Sequence, residues 1–281
     1  MTKIPGYENL YKLFGRGLSV ILISMFFVTV ANAQMIEQDA THKQSAVLDQ
    51  SAMAEQIESV DDDGFEFGAE GSIVSSYIWR GQAYTGRDDD HYFGVSVQPC
   101  VWASYKGFSF SVWSSLGFTK HDMAEVDLEL RYDNNGFYAF VTDYWCTGYG
   151  AGIKYFDYKN YSTGHTFEAT VGYDFGFMDV NWSTNFAGYD GVTPKGKRAY
   201  SSYFEATVPF SLLTLDWVAN VGLTPWATDY YYNATSFAVC EIGLQAAKEI
   251  KISESFGFSI FAKYCLNPST MKSYVVGGIS F

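Results

Sequence analysis

The chain has 281 residues, with 18 Lys and Arg against 31 Asp and Glu and a formal net charge of −13. That deficit of cations excludes a nucleic-acid-binding role, because phosphate contacts need clustered Lys and Arg. Aromatic residues make up 19%, with 22 Tyr, 23 Phe and 26 Gly but only 6 Pro, a profile of many strands and turns with Tyr and Trp left over for water–lipid boundaries.

Residues 1–33 read as a secretory signal. Lys3, Lys12 and Arg16 give a basic start, Leu18 to Val30 is an apolar run, and Ala31-Asn32-Ala33 is a small-x-small site that predicts cleavage after Ala33. The apolar run is shorter than the ~20 residues a membrane-spanning helix needs, and no Cys follows it to carry a lipid anchor. Losing Lys3, Lys12, Arg16 and Glu8 takes the net charge from −13 to −15. Residues 34–63 are polar and acidic, end in Asp61-Asp62-Asp63, and carry no strand pattern, so a flexible periplasmic tail is expected.

Residues 64–281 are strand after strand, with no convincing amphipathic helix and no run of 18 apolar residues. The pattern predicts twelve strands, at 65–79, 91–105, 107–118, 125–133, 137–146, 164–175, 177–187, 200–210, 212–224, 235–246, 254–265 and 272–281. The clearest is 125–132, where Glu125, Asp127, Glu129 and Arg131 alternate with Val126, Leu128, Leu130 and Tyr132. Successive strand side chains point to opposite faces, and the following Asn135-Gly136 supplies the positive φ of a tight hairpin.

The connections alternate in length. Lys106-Gly107, Asp133 to Gly136, Phe175-Gly176 and Ser211 are short, with a longer one at Ala247 to Ser253. The intervening ones, including Gly81 to Asp90, Cys146 to Thr163, Gly188 to Ala199 and Pro225 to Ala234, are long and polar. Short turns at one end and long loops at the other mark an outer-membrane barrel, where a soluble sandwich has no reason to segregate them. The expected fold is therefore an all-β, transmembrane antiparallel barrel in a bacterial outer membrane. Its last strand ends on Phe281, which looks like the signal read by the barrel-assembly machinery. An open edge would leave backbone groups unpaired in hydrocarbon, so the first strand must pair with the last.

Alternation predicts an inward set of Glu66, Glu70, Glu125, Asp127, Glu129, Asp143, Glu168, Asp179, Glu205, Asp216 and Glu241, opposed by Arg80, Arg131 and Lys263. Such an excess of carboxylates either packs into a polar network that fills the barrel or lines a wet lumen that attracts cations and repels anions. Twelve strands lie between the filled eight-strand barrel and the open 16-strand porin. The carboxylates outnumber the cations too far to be paired internally, which favours the wet lumen.

The four Cys, at 100, 146, 240 and 265, are far apart and are expected as unpaired thiols. Arg87 to His91 is expected as a solvated acidic loop rather than a cation site, and Lys195, Lys197 and Arg198 could meet lipopolysaccharide. Tyr155 to Tyr161, Trp226 and Tyr230 to Tyr232 suit an aromatic girdle or sugar-facing loops. Enzyme motifs are absent, and His165 lacks an obvious partner. No catalytic residue, metal or cofactor is expected.

The stretch Ser75-Ser76-Tyr77-Ile78-Trp79-Arg80-Gly81-Gln82 resembles the opening of the TorF-like porins, whose first strand typically reads Ser-(Asp/Ser)-Tyr-x-x-Arg-Gly. Further likeness lies in the Gly107 to Phe118 and Glu125 to Tyr132 strands and the Tyr173/Phe175 hairpin; Trp79 and the acidic tail depart from the pattern. The resemblance implies an outer-membrane barrel and transport, and brings no substrate or catalytic residue. The expected function is a channel for small polar or cationic solutes. A non-conducting structural or surface-binding barrel and a lipid-modifying barrel enzyme are the alternatives.

Overall fold

The computed structural model describes residues 59–60, 64–85, 94–118, 122–147, 154–159, 162–231, 234–253 and 256–281. The signal segment, nearly all of the acidic tail, and the loop carrying Arg87 to His91 lie outside the described residues. Twelve long strands run in chain order: β1 (Phe65–Val74), β2 (Ser96–Tyr105), β3 (Phe108–Gly117), β4 (Glu125–Asn134), β5 (Phe137–Cys146), β6 (His165–Asp174), β7 (Asp179–Gly188), β8 (Ser202–Leu212), β9 (Leu215–Thr224), β10 (Ala238–Lys251), β11 (Gly257–Asn267) and β12 (Lys272–Ser280).

Each strand pairs antiparallel with the next, and β1 pairs with both β2 and β12, so the sheet closes into a barrel. Closure runs through Val74↔Gly278, Ile73↔Ile279 and Ser72↔Ser280, and a reciprocal pair of 2.8 and 2.9 Å bonds joins Gly71 to Phe281. Below Phe281 the free edge of β1 takes a further partner, where Ser59 and Val60 pair with Phe67 and Glu66.

Outward strand positions are mostly apolar. Val101, Leu116, Leu130, Val141, Val171 and Val275 are all more than 40% exposed. Below them, toward the short turns, stand exposed Phe65, Tyr105, Phe108, Phe137, Tyr173 and Phe175, and toward the long loops Phe118, Phe186 and Trp226. Such an apolar band with aromatic edges is what a lipid-facing barrel surface requires.

The short turns hold tight pairs with positive φ: Lys106-Gly107, Asn135-Gly136 and Leu213-Thr214. The last lies beyond the turn expected at Ser211, and no Gly or Asn marks it; its φ values are 53° and 64°. The turn expected at 247–253 is also displaced. Strand β10 continues to Lys251, and Ile252 and Ser253 donate backbone bonds to Phe256.

The largest departure is in the first strand. The alternation pattern runs to 79, but the strand ends at Val74. After Ser75-Ser76 the chain makes a small hairpin, Ile78–Trp79 paired with Gln82–Ala83, with Arg80 and Gly81 at its tip at φ 48° and 72°. Tyr77 to Arg80 are all buried. The hairpin folds into the barrel.

Candidate functional site

Arg80 ends a reach across the lumen. Its guanidinium donates to both oxygens of Glu168 on β6, at 2.5 and 2.9 Å, to Tyr231 Oη at 2.7 Å and to Ser183 Oγ on β7 at 3.0 Å. In a ring of twelve strands β7 is opposite β1, so the hairpin tip spans the bore. The guanidinium also lies 4.3 Å from the Trp79 ring centre and 4.6 Å from that of Tyr203, where cation–π attraction adds to the ion pair. Five N–H donors in a planar fork are what so many partners need; Lys could not supply them.

The other side of the tip is held too. Asn267 Nδ2 donates to the Gly81 carbonyl at 3.2 Å. A Cβ on Gly81 would collide with the Cys240 carbonyl on β10, so only glycine permits both the positive φ and the close approach.

Aromatic rings pack around this tip. Trp79 contacts Tyr84, Tyr144, Tyr230 and Tyr231, and Tyr77 lies 5.5 Å from Trp113. Tyr231 is 1% exposed, so it belongs to the filling of the barrel and not to a girdle or outer loop surface. Burial raises its hydroxyl above the ordinary phenol range, with Arg80 pulling the other way; it stays neutral and accepts from Arg80.

Two cavities flank the hairpin. The larger, about 530 Å³, has Trp79 and Arg80 at its inner end and is lined down to Glu66, Gly107, Phe108 and Asp133 beside the short turns. The smaller, about 160 Å³, lies on the β10–β12 side and touches Tyr77, Ile78, Gln98 and Lys263. Between the hairpin and the short turns the lumen is hollow.

Of the predicted inward residues, Glu66, Glu70, Arg80, Asp127, Glu129, Arg131 and Glu205 line the larger cavity. Glu125 is buried across from Cys146. Asp179 accepts from Tyr138 Oη at 2.8 Å. Glu241 pairs with Lys263 at 2.9 Å and takes a bond from Asn220 at 3.1 Å. Asp216 sits at the short-turn rim, bonded by Ser211 at 3.2 Å. Glu168 serves as the anchor of Arg80 and does not line the cavity. Arg131 is held by Asp133 through two 2.8 Å bonds and covers Tyr138 at 4.3 Å.

Asp143 does not face in. It pairs with Leu128 and shares the parity of exposed Val141, so its position on the outer face corrects the alternation reading. There it accepts from His165 Nδ1 at 2.8 Å, the partner that the sequence did not reveal. His165 Nε2 bonds the Tyr155 carbonyl, Tyr158 stacks on the ring at 4.4 Å, and His165 is fully buried. With one ring nitrogen against Asp143, the other against the Tyr155 carbonyl and Tyr158 stacked on its face, the ring pins the loop before β6 against the barrel exterior. Of the proposed basic patch, Lys195 and Lys197 are exposed, whereas Arg198 turns back to the Gly188 carbonyl at 3.1 Å and to Asp190 at 3.8 Å. The four cysteines are buried free thiols.

Among solved structures the chain is similar to KdgM porin, with 6% identity, a TM-score of 0.41, and coverage of 76% of this chain and 97% of that one. It is also similar to an outer membrane channel from Pseudomonas putida F1, with 8% identity, a TM-score of 0.34, and coverage of 75% and 93%. No family model matches the chain, and no curated protein matches it.

Proposed function

We propose that this barrel sits in a bacterial outer membrane and is a gated, cation-attracting channel whose closed state has the hairpin folded in. The observation that carries the reading is the combination of an apolar, aromatic-edged exterior, a hollow acidic half-lumen and a hairpin folded across the remaining bore. A barrel built only for rigidity has no need of a hollow half. Carboxylates in a low-dielectric bore concentrate cations and exclude anions. The hairpin is fastened by side chains and by few backbone bonds, so it can leave without opening the barrel wall. This reading agrees with what the likeness to TorF-like porins implies.

The test is a reversal potential. In a KCl gradient across a planar bilayer, open events should reverse toward the K⁺ potential. Replacing Glu70 and Glu129 by Gln and Asp127 by Asn should move that reversal toward zero. Anion-selective events, or selectivity untouched by the triple replacement, would contradict the reading.

A further inference from the structure

In the larger cavity, β3, β4 and β5 set Trp113, Asp127 and Tyr144 side by side, because Asp127 pairs with Trp113 on one side and Tyr144 on the other. All three line the cavity, with Trp79 of the hairpin at its inner end. Asp127 is 3% exposed, and neither carboxylate oxygen has a hydrogen-bond partner. A buried carboxylate without donors is costly, so its place on this wall needs a reason beyond packing. One rung nearer the opening is Glu129, held by a single 3.3 Å bond from Thr142. Among the described residues no cation lies within ion-pair distance of either acid.

The same lumen already holds one cation by this chemistry, since Arg80 rests between Trp79 and Tyr203 against Glu168. We infer that the wall formed by Trp113, Asp127, Glu129 and Tyr144 is a binding site for a small organic ammonium ion carrying N–H donors, such as a primary amine. The alkyl part would lie on the aromatic faces, and the ammonium would give Asp127 and Glu129 the donors they lack. An amine is favoured over a bare metal ion because the wall is aromatic on both sides of Asp127 and because no group of three metal-binding side chains meets among the described residues. The inference rests on the proposed cation-attracting lumen and names its solute class.

The test is equilibrium binding to the detergent-folded full chain, read by calorimetry and by fluorescence of the cavity tryptophans, so it does not depend on conductance. The probe is n-butylammonium, with 1-butanol and tetramethylammonium as comparisons. Saturable binding of butylammonium is expected, with binding of the other two weaker by about tenfold or more, as loss of a charge-assisted bond implies. Asp127→Asn should weaken butylammonium by a similar factor, Glu129→Gln should weaken it less, and Asp216→Asn, at the rim and outside the cavity, should leave it unchanged. Each variant is first checked for heat-modifiable gel mobility; if Asp127→Asn fails to fold, Glu129→Gln decides. The inference is overturned if butylammonium does not saturate, if butanol or tetramethylammonium binds as well, or if neither cavity replacement differs from Asp216→Asn.

Discussion

Arg80 and Glu168 meet from opposite sides of the barrel, joined by two parallel bonds of 2.5 and 2.9 Å in a setting where both side chains are at least nine-tenths buried. Removing one partner of such a pair leaves an uncompensated buried charge, at a cost of about 3–5 kcal/mol. Arg80→Ala should therefore lower the urea midpoint of the detergent-folded barrel. Arg80→Lys should fall between, because it keeps the charge and loses the fork. Equal midpoints for all three proteins would mean that the pair does not hold the hairpin.

Gly81 is the second fastening. Gly81→Ala combines a positive φ, unfavourable by about 1–2 kcal/mol for an L-residue, with a collision against the Cys240 carbonyl. The hairpin should lift from β10. With Cys100, Cys146 and Cys265 replaced by Ala, maleimide labelling of Cys240, which is 2% exposed, should be slow with Gly81 present and faster by tenfold or more in Gly81→Ala, following about 1.4 kcal/mol of destabilisation per decade. Unchanged labelling would count against a hairpin packed on this wall.

On the exterior, His165 ties the loop before β6 to Asp143 and the Tyr155 carbonyl. His165→Ala removes two buried bonds and a stacked ring, a loss of about 1–3 kcal/mol that is local to the loop. Proteolysis should then cut between 147 and 164 at much lower protease concentration, while heat-modifiable mobility of the barrel stays intact. If the loop resists cleavage as before, the pin is not His165.

The turn at Leu213-Thr214 offers a gain instead of a loss. Both residues sit at positive φ, where Asn-Gly is the favoured pair. Replacing Leu213 by Asn and Thr214 by Gly should raise the urea midpoint by the equivalent of about 1 kcal/mol. Leu213 is 81% exposed, so the exchange removes little packing.

What the sequence made legible was the part governed by local rules. Strict alternation from Glu125 to Tyr132 and the Asn135-Gly136 turn fixed one hairpin, and the segregation of short and long connections fixed the barrel. Local rules failed where tertiary contacts decide. Tyr77 and Trp79 alternate like strand residues, yet Arg80 and Gly81 turn the chain inward because Glu168 and the Cys240 carbonyl await them far along the sequence. Leu213-Thr214 carries no turn residue, so neighbouring Ser211 drew the boundary. Alternation from the sequence puts Asp143 in the inward set, whereas in the folded strand it shares the outward parity of Val141. Tyr231 lies in a loop rich in Tyr, and nothing local separates a ring that fills a lumen from one that faces lipid.

The most direct test of a hairpin-gated channel is the open probability of single channels in planar bilayers, compared between the unaltered chain and Arg80→Ala, each shown to be folded by heat-modifiable mobility. Brief, rare openings of the unaltered protein and long, cation-selective openings of the variant are predicted. Silence from both, or equal open probability in both, would contradict it.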